Sequence, residues 1–321
     1  MARELPAPLR ALLLDQEGVL TRQQALAVGM TGKAVRASLE SGRWQRLQLG
    51  VYAAFSGEPP RAALLWAAVL RAGPGAVLSH QTAAELYGLL PGQAPLIHVT
   101  VPSGSRVAGP PGVRVHYSGR LAQARHPVLA PPRTRLDDTV LDLAGQAATL
   151  DDAVSLILLA VGGRRTTPDR LLAAMSRRSR LSRRAELRGA AEAARRGVHS
   201  LLEYRYLMWV ERPHGLPPGN RQRRVVREGR REYQDIAYDA YRTVVELDGL
   251  AAHPAQSRWR DTRRDNLNTA FGLATIRLGY LEVSGQPCAS AGLVGRALAG
   301  RGWTGSLRRC GPSCGLPGDA G

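Results

Sequence analysis

An α+β chain of several domains is predicted by three features. Segments with the 3.6-residue spacing of apolar positions alternate with segments of strict period-two alternation, so neither class of element dominates. The chain has 321 residues, of which 44% are hydrophobic; that is an ordinary globular share on a length too great for one small core, so two or three domains are expected. Gly, Pro, Ala and Ser collect near the C-terminal end, where order is expected to weaken. The expected boundaries are a helical domain closing in a hairpin at 1–58, an α+β middle domain at 59–150, a basic helical linker at 151–198, a hairpin-centred domain at 199–285, and a flexible tail at 286–321.

In the first domain, Thr21 caps a helix over 22–28 that Gly29 stops, and Thr31 caps a second over 32–41 that ends at Gly42. Two short helices joined by a Gly-containing turn form a helix-turn-helix pattern. The stretch RWQRLQLGVYA that follows alternates through Trp44, Leu47, Leu49 and Val51, as the wing of a winged helix would. Val35 and Leu39 share the inner face of the second helix, which leaves Lys33 and Arg36 outward. Lys33 and Arg36 are therefore the candidates to face DNA, with Arg43 and Arg46 on the wing touching phosphate. Outward basic residues also occur on any surface helix.

The middle domain carries helices over 61–71 and 80–89, the second capped by Ser79, and strands over 97–101 and 113–117. His80, His98 and His116 fall here at separations of 18 residues. Such spacing offers no close ligand pair, so structural hydrogen bonding is favoured over a metal site. The linker passes through SRRSRLSRRAELR at 176–188, and residues 162–167 read as a hinge; a charge run of this kind is usually a solvated face. In the tail one short helix is expected over 291–298. Its three cysteines, Cys288, Cys310 and Cys314, are the only ones in the chain, which fits a reducing cytoplasm. Cys310 and Cys314 lack a second ligand pair in the sequence, which argues against zinc.

The chemistry concentrates in YQDIAYDAYRTVVELDGLAAH, residues 233–253. Alternating runs over 233–237 and 243–247 flank a turn, the pattern of an antiparallel hairpin. A turn centred near Ala240 and Tyr241 sets Asp235 opposite Glu246, with Cβ atoms about 4.5–5.5 Å apart. Asp248 follows Glu246 on the same face. Three converging carboxylates repel unless a cation sits among them, and oxygen clusters of this kind suit Mg²⁺ or Mn²⁺. The alternative is a set of acids neutralised by neighbouring arginines.

Glu203 on a preceding helix, Asp235, the Glu246-Leu247-Asp248-Gly249 stretch, His253 and Arg264-Asp265-Asn266 together resemble the restriction-endonuclease-like nuclease fold, PD-(D/E)xK in motif, and within it the branch similar to very-short-patch-repair (Vsr-like) endonucleases. The resemblance spans about residues 200–283 and implies an α/β/α domain with a mixed sheet. It assigns metal binding to Asp235 and Glu246, puts Asp248 in the place of the motif lysine, gives Glu203 a water-positioning role and His253 acid–base work, and leaves Arg263 or Arg264 to steady transition-state charge. The only lysine is Lys33, so none stands in this domain. Residues 10–145 resemble AbiEi antitoxins of type IV toxin–antitoxin systems, through Gly18-Val-Leu-Thr-Arg, Arg46-x-x-x-Gly-Val-Tyr52, Ser79-His80-Gln81-Thr-Ala-Ala, Arg133-Thr134 and Leu141-Asp142-Leu143-Ala144. That resemblance implies a winged helix able to bind its own promoter and a cognate toxin as partner.

The formal charge is +18, and 43 of 44 basic residues are Arg. Such an excess favours nucleic acid, although base composition of the genome also raises Arg. Residues 164–264 hold 24 Arg against 12 Asp and Glu, a cation-rich rim suited to drawing phosphate toward acids. Membrane association is not expected: the longest apolar stretch, 62–70, is far short of the ~20 residues a span needs, and Asp15 and Glu17 beside residues 12–14 do not make a secretory signal. Two functions stay open. One is a Mg²⁺-dependent DNA endonuclease guided by a winged helix, acting in phage or mobile-element defence. The other is a non-catalytic, antitoxin-like DNA-binding regulator.

Overall fold

The computed structural model describes residues 6–227, 229–248, 263 and 266–316. The chain is α+β and gathers into two compact units, Met1–Ala147 with Ala173–Ser182, and Ala148–Leu172 with Arg183–Gly321. The chain passes from one unit to the other at 147–148, 172–173 and 182–183, not at the expected hinge of 162–167. Among the described residues no helix is long and apolar enough to cross a membrane.

The first unit begins with α1 (Ala7–Asp15), β1 (Val19–Thr21), α2 (Arg22–Ala27), α3 (Gly32–Glu40), β2 (Gln45–Gln48) and β3 (Val51–Ala53). The strands form an antiparallel sheet in the order β1-β3-β2. Thr21 closes a capping box: its hydroxyl accepts from Gln24 N at 3.0 Å while Thr21 N donates to Gln24 Oε1 at 2.8 Å. Thr31 accepts from Ala34 N at 3.1 Å. Leu9, Leu20, Ala25, Val35, Trp44 and Tyr52 make the core under these elements. Leu49, expected among the inward alternators, is exposed, because Gly50 turns the chain there with a φ of 74°.

The unit continues with α4 (Arg61–Ala72), β4 (Val77–Leu78), α5 (His80–Leu86), β5 (Ile97–Pro102), β6 (Val113–Ser118), α6 (Leu121–Ala124) and α7 (Leu136–Gln146). β4 pairs antiparallel and β6 parallel with β5. The apolar faces of α4 join both halves: Ala63, Trp66 and Ala67 pack with Val19 and Val51, while Leu65, Ala68 and Val69 pack with Val99 and Val101. Residues on either side of 58–59 therefore share one helix as core, which is why they form a single unit.

The second unit holds α8 (Leu150–Gly162) and α10 (Arg184–Arg195), with α9 (Pro168–Ser176) running across the division between units. The basic run thus crosses the division at 182–183, and its C-terminal part is a helix packed into the second unit. Leu187, Ala190, Ala191 and Ala194 make a buried seam at i, i+3, i+4 and i+7 on α10, with arginines on its outer side. Next come α11 (Leu201–Arg205), a π-helical turn over Tyr206–Glu211, and β7 (Asn220–Arg227), β8 (Arg230–Tyr238), β9 (Thr243–Asp248) and β10 (Ala274–Gly279), in the sheet order β10-β9-β8-β7. β7, β8 and β9 are antiparallel neighbours and β10 runs parallel to β9, which makes the sheet mixed. α12 (Tyr280–Gly285) and α13 (Pro287–Ala299) follow. Leu202, Tyr206, Ile236, Tyr238, Val245, Leu278, Val294 and Leu298 share the core, with Trp303 and Leu307 packed against it. Residues 286–316 are accordingly folded, rather than the loose tail expected from their composition. At Gly295 a Cβ would come within 2.6 Å of Leu307, so only glycine admits the crossing.

Candidate functional site

The hairpin acids sit where the turn places them. β8 and β9 pair as Ile236↔Val245, Ala237↔Val244 and Tyr238↔Thr243, and the same register extended by one step sets Asp235 across from Glu246. Ile236, Tyr238 and Val245 turn into the core, so alternation sends Asp235 and Glu246 to the other face. Leu247 N donates to Asp235 Oδ2 at 2.9 Å, which ties the carboxylate to the next strand. Glu246 is buried.

Glu203 reaches this place from the first turn of α11. Ser200 caps that helix, its hydroxyl accepting from Glu203 N at 3.2 Å and donating to Glu203 Oε1 at 3.0 Å, while His199 N donates to Oε2 at 3.1 Å. The link between the two acids is Gln222, a residue that no sequence motif singles out. Its amide donates to Glu203 Oε1 at 3.3 Å and to Asp235 Oδ1 at 3.2 Å. Gln222 drops out of the β7–β8 ladder between Arg221↔Ile236 and Arg223↔Gln234, and its φ of 48° lies in the left-handed region. A non-glycine residue held there costs about 1–3 kcal/mol, and such strain clusters at functional sites. Burial pushes the Glu203 carboxyl above its ordinary range, as does the charge of Asp235, against the opposing hydrogen bonds from His199, Ser200 and Gln222.

Asp248 does not join them. It pairs with Arg277 of β10 at 3.1 and 3.3 Å, because the parallel register sets Arg277 beside Glu246, one side chain away on the same face. The expected trio of converging hairpin acids is thereby reduced to the pair Asp235 and Glu246, with Asp248 drawn off by an arginine. Among the described residues, two groups of three or more ligand-type side chains lie within 4.8 Å of one another, and neither contains a hairpin acid. His253 and Arg264 lie outside the described residues, and Arg263 is exposed.

The four other DNA-facing candidates belong to the first unit. Lys33 and Arg36 on α3 are exposed, as are Arg43, just before β2, and Arg46 on β2. Arg43 Nε donates to Ser41 Oγ at 3.0 Å.

The first unit also brings together His80, His98 and His116, which the sequence separates. Parallel pairing aligns Thr100 with His116, and His98 Nδ1 lies 3.0 Å from His116 Nε2. Burial, reinforced by the neighbouring histidines, lowers His80 to about 3 and His98 to about 4, so both rings are neutral near pH 7. The rings of His80 and His116 stack at 3.8 Å with 17° between planes. The in-plane lone pairs of the stacked His80 and His116 rings lie in nearly parallel planes and do not meet at one point, so hydrogen bonding fits this trio better than metal ligation. Beside it lies a cavity of about 300 Å³ lined by His80, His116, Arg120, Asp142 and Arg178; two of its arginines also hold the buried Asp138, which accepts from Arg120 Nη1 and Arg178 Nη2, each at 3.0 Å.

Comparison of the chain with protein-family models and with curated proteins returned no match.

Proposed function

We propose that the protein binds DNA through α3 and the β2–β3 hairpin of a winged helix, and hydrolyses phosphodiester bonds in a nuclease-type domain centred on Asp235 and Glu246. The observation that carries this reading is Gln222, strained out of its ladder to hold the carboxylates of Glu203 and Asp235 with one amide, opposite a buried Glu246. Acids on adjacent strands in register fit a Mg²⁺ or Mn²⁺ site, since Mg²⁺ keeps several waters and takes only one or two carboxylates. A divalent ion held there supplies an acidified water and offsets the charge of the phosphodiester. On this reading Glu203, whose proton affinity burial raises, accepts a proton from an attacking water. The +18 charge holds the polyanion near the acids.

The test is Mg²⁺-dependent nicking of supercoiled DNA by the full chain and by Asp235→Asn. Loss of nicking with DNA affinity unchanged supports the reading; the same residual nicking in both proteins removes it.

A second reading has its own support. Asp248 is paired with Arg277 and Asp235 already accepts from Leu247 N and Gln222, as in a domain that retains its acids for structure. On that reading the protein is an antitoxin-like regulator with a cognate toxin as partner. It is favoured if the unmutated chain nicks no substrate in Mg²⁺ or Mn²⁺ yet binds its own upstream DNA.

A further inference from the structure

Along the sequence, Cys310 and Cys314 have no partner pair. Folding supplies one. His214, Cys288, Cys310 and Cys314 each bring a ligand atom to within 4.8 Å of the others, although His214 and Cys288 are separated by the whole sheet in sequence. Cys288 Sγ lies 3.7 Å from Cys310 Sγ and 3.6 Å from Cys314 Sγ. Two thiolates at ~2.3 Å from a tetrahedral zinc stand ~3.8 Å apart, whereas a disulfide holds its sulfurs at ~2.05 Å. The observed separations are those of co-ligands.

His214 provides the independent observation. It is fully buried, and its Nδ1 lies 2.9 Å from the carbonyl oxygen of Val210. A carbonyl only accepts, so Nδ1 carries the proton and Nε2 is left with a bare lone pair. Nε2 is buried and has no hydrogen-bond partner. A ligating histidine whose other nitrogen donates to a backbone carbonyl is the usual supporting arrangement around zinc.

We propose that His214, Cys288, Cys310 and Cys314 bind one structural Zn²⁺. Three soft thiolates and an imidazole select zinc over Mg²⁺ or Ca²⁺, and four protein ligands leave no position open for catalysis. The site would fasten residues 301–316 to the end of the π-helical turn and to the start of α13. The same segment is already held by Arg308 N donating to His214 O at 3.0 Å and Arg308 Nη2 donating to Arg212 O at 3.1 Å. No hairpin acid takes part, so the zinc site is independent of the nuclease reading.

The full chain, purified with reductant and without chelator, is expected to carry one zinc per chain by native mass spectrometry and elemental analysis. Exchange with Co²⁺ is expected to give the red-region absorption of a tetrahedral site with a thiolate-to-metal band in the near ultraviolet. Cys288→Ser and His214→Gln are each expected to lose the stoichiometric metal. If those variants do not fold, the Co²⁺ spectrum of the unmutated chain decides alone. A zinc-free chain that takes up no metal when loaded, an intact mass showing a disulfide in the reduced preparation, or a Co²⁺ spectrum lacking the thiolate band would overturn the proposal.

Discussion

Replacing Gln222 with Leu removes the amide between Glu203 and Asp235 while keeping side-chain bulk. The amide makes hydrogen bonds of 3.3 and 3.2 Å to two carboxylates, and bonds to charged groups contribute ~1.5–3 kcal/mol each when buried. Gln222 is half-buried, so solvent weakens both, and their combined loss is about 2 kcal/mol. Leucine relieves none of the backbone strain, because φ stays near the 48° that the site imposes. The two acids are then left facing each other without a donor between them. For a unit of this size such a loss corresponds to a melting temperature lower by about 4–8 °C. Urea unfolding followed by circular dichroism at neutral pH, with and without Mg²⁺, is the assay. The deficit is expected to shrink when Mg²⁺ is added, since a cation replaces the lost positive end of the amide, and to shrink in acid, where the carboxyls are neutral. A variant as stable as the parent at neutral pH, within about 0.3 kcal/mol, would refute the bridge as a determinant of the site.

Other outcomes follow from the same side chains. Asp138 is buried between Arg120 and Arg178; Asp138→Ala removes the carboxylate they share, while Arg178 keeps Asp142 at 2.8 Å, so the expected cost is about 3 kcal/mol, seen as a lowered melting temperature. Glu203 has its folded pKa raised above the ordinary 4.5; an acid of this kind stabilises the fold below its unfolded pKa and loses that contribution as pH climbs through its folded pKa. Glu203→Gln removes the ionisation, so its stability relative to the parent is expected to improve as pH rises from acid to neutral; a constant difference across that window contradicts the shift. Lys33 and Arg36 are exposed on one helix, and their joint replacement by Ala is expected to weaken DNA binding at all sequences and to reduce the logarithmic salt slope by about 1 for each phosphate that is no longer neutralised. Fluorescence anisotropy across a salt series reads this, and an unchanged slope argues against α3 as the DNA-facing element.

Local chemistry made much of the fold legible. Thr21 and Thr31 act through neighbours a few residues away, and the β8–β9 register follows from the turn itself, so their structural roles could be read from adjacent letters. What escaped depends on distant pairing. Arg277 captures Asp248 only because β10 lies parallel to β9, and Gln222 bridges two acids only because β7 falls beside β8. β7 itself, NRQRRVVR, carries too much charge to announce a strand. His98 and His116 are gathered by the β5–β6 register, with His80 brought to them at the start of α5, and the cysteines by the folding of 301–316 back over α13. The arginine-rich run was expected to be helical, but its buried face was not: Leu187, Ala190, Ala191 and Ala194 make a core-facing seam mostly of alanine, a weak apolar signal beside so much charge.

The most direct test of the nuclease reading is Mn²⁺ binding to the full chain, followed by electron paramagnetic resonance with one equivalent of Zn²⁺ per chain to fill the thiolate site without competing for the carboxylates. The account predicts one bound Mn²⁺ per chain, lost in Asp235→Asn and retained in Asp248→Ala, whose carboxylate is already engaged by Arg277. Equal Mn²⁺ uptake by the parent and Asp235→Asn, or no uptake by the parent, would contradict it.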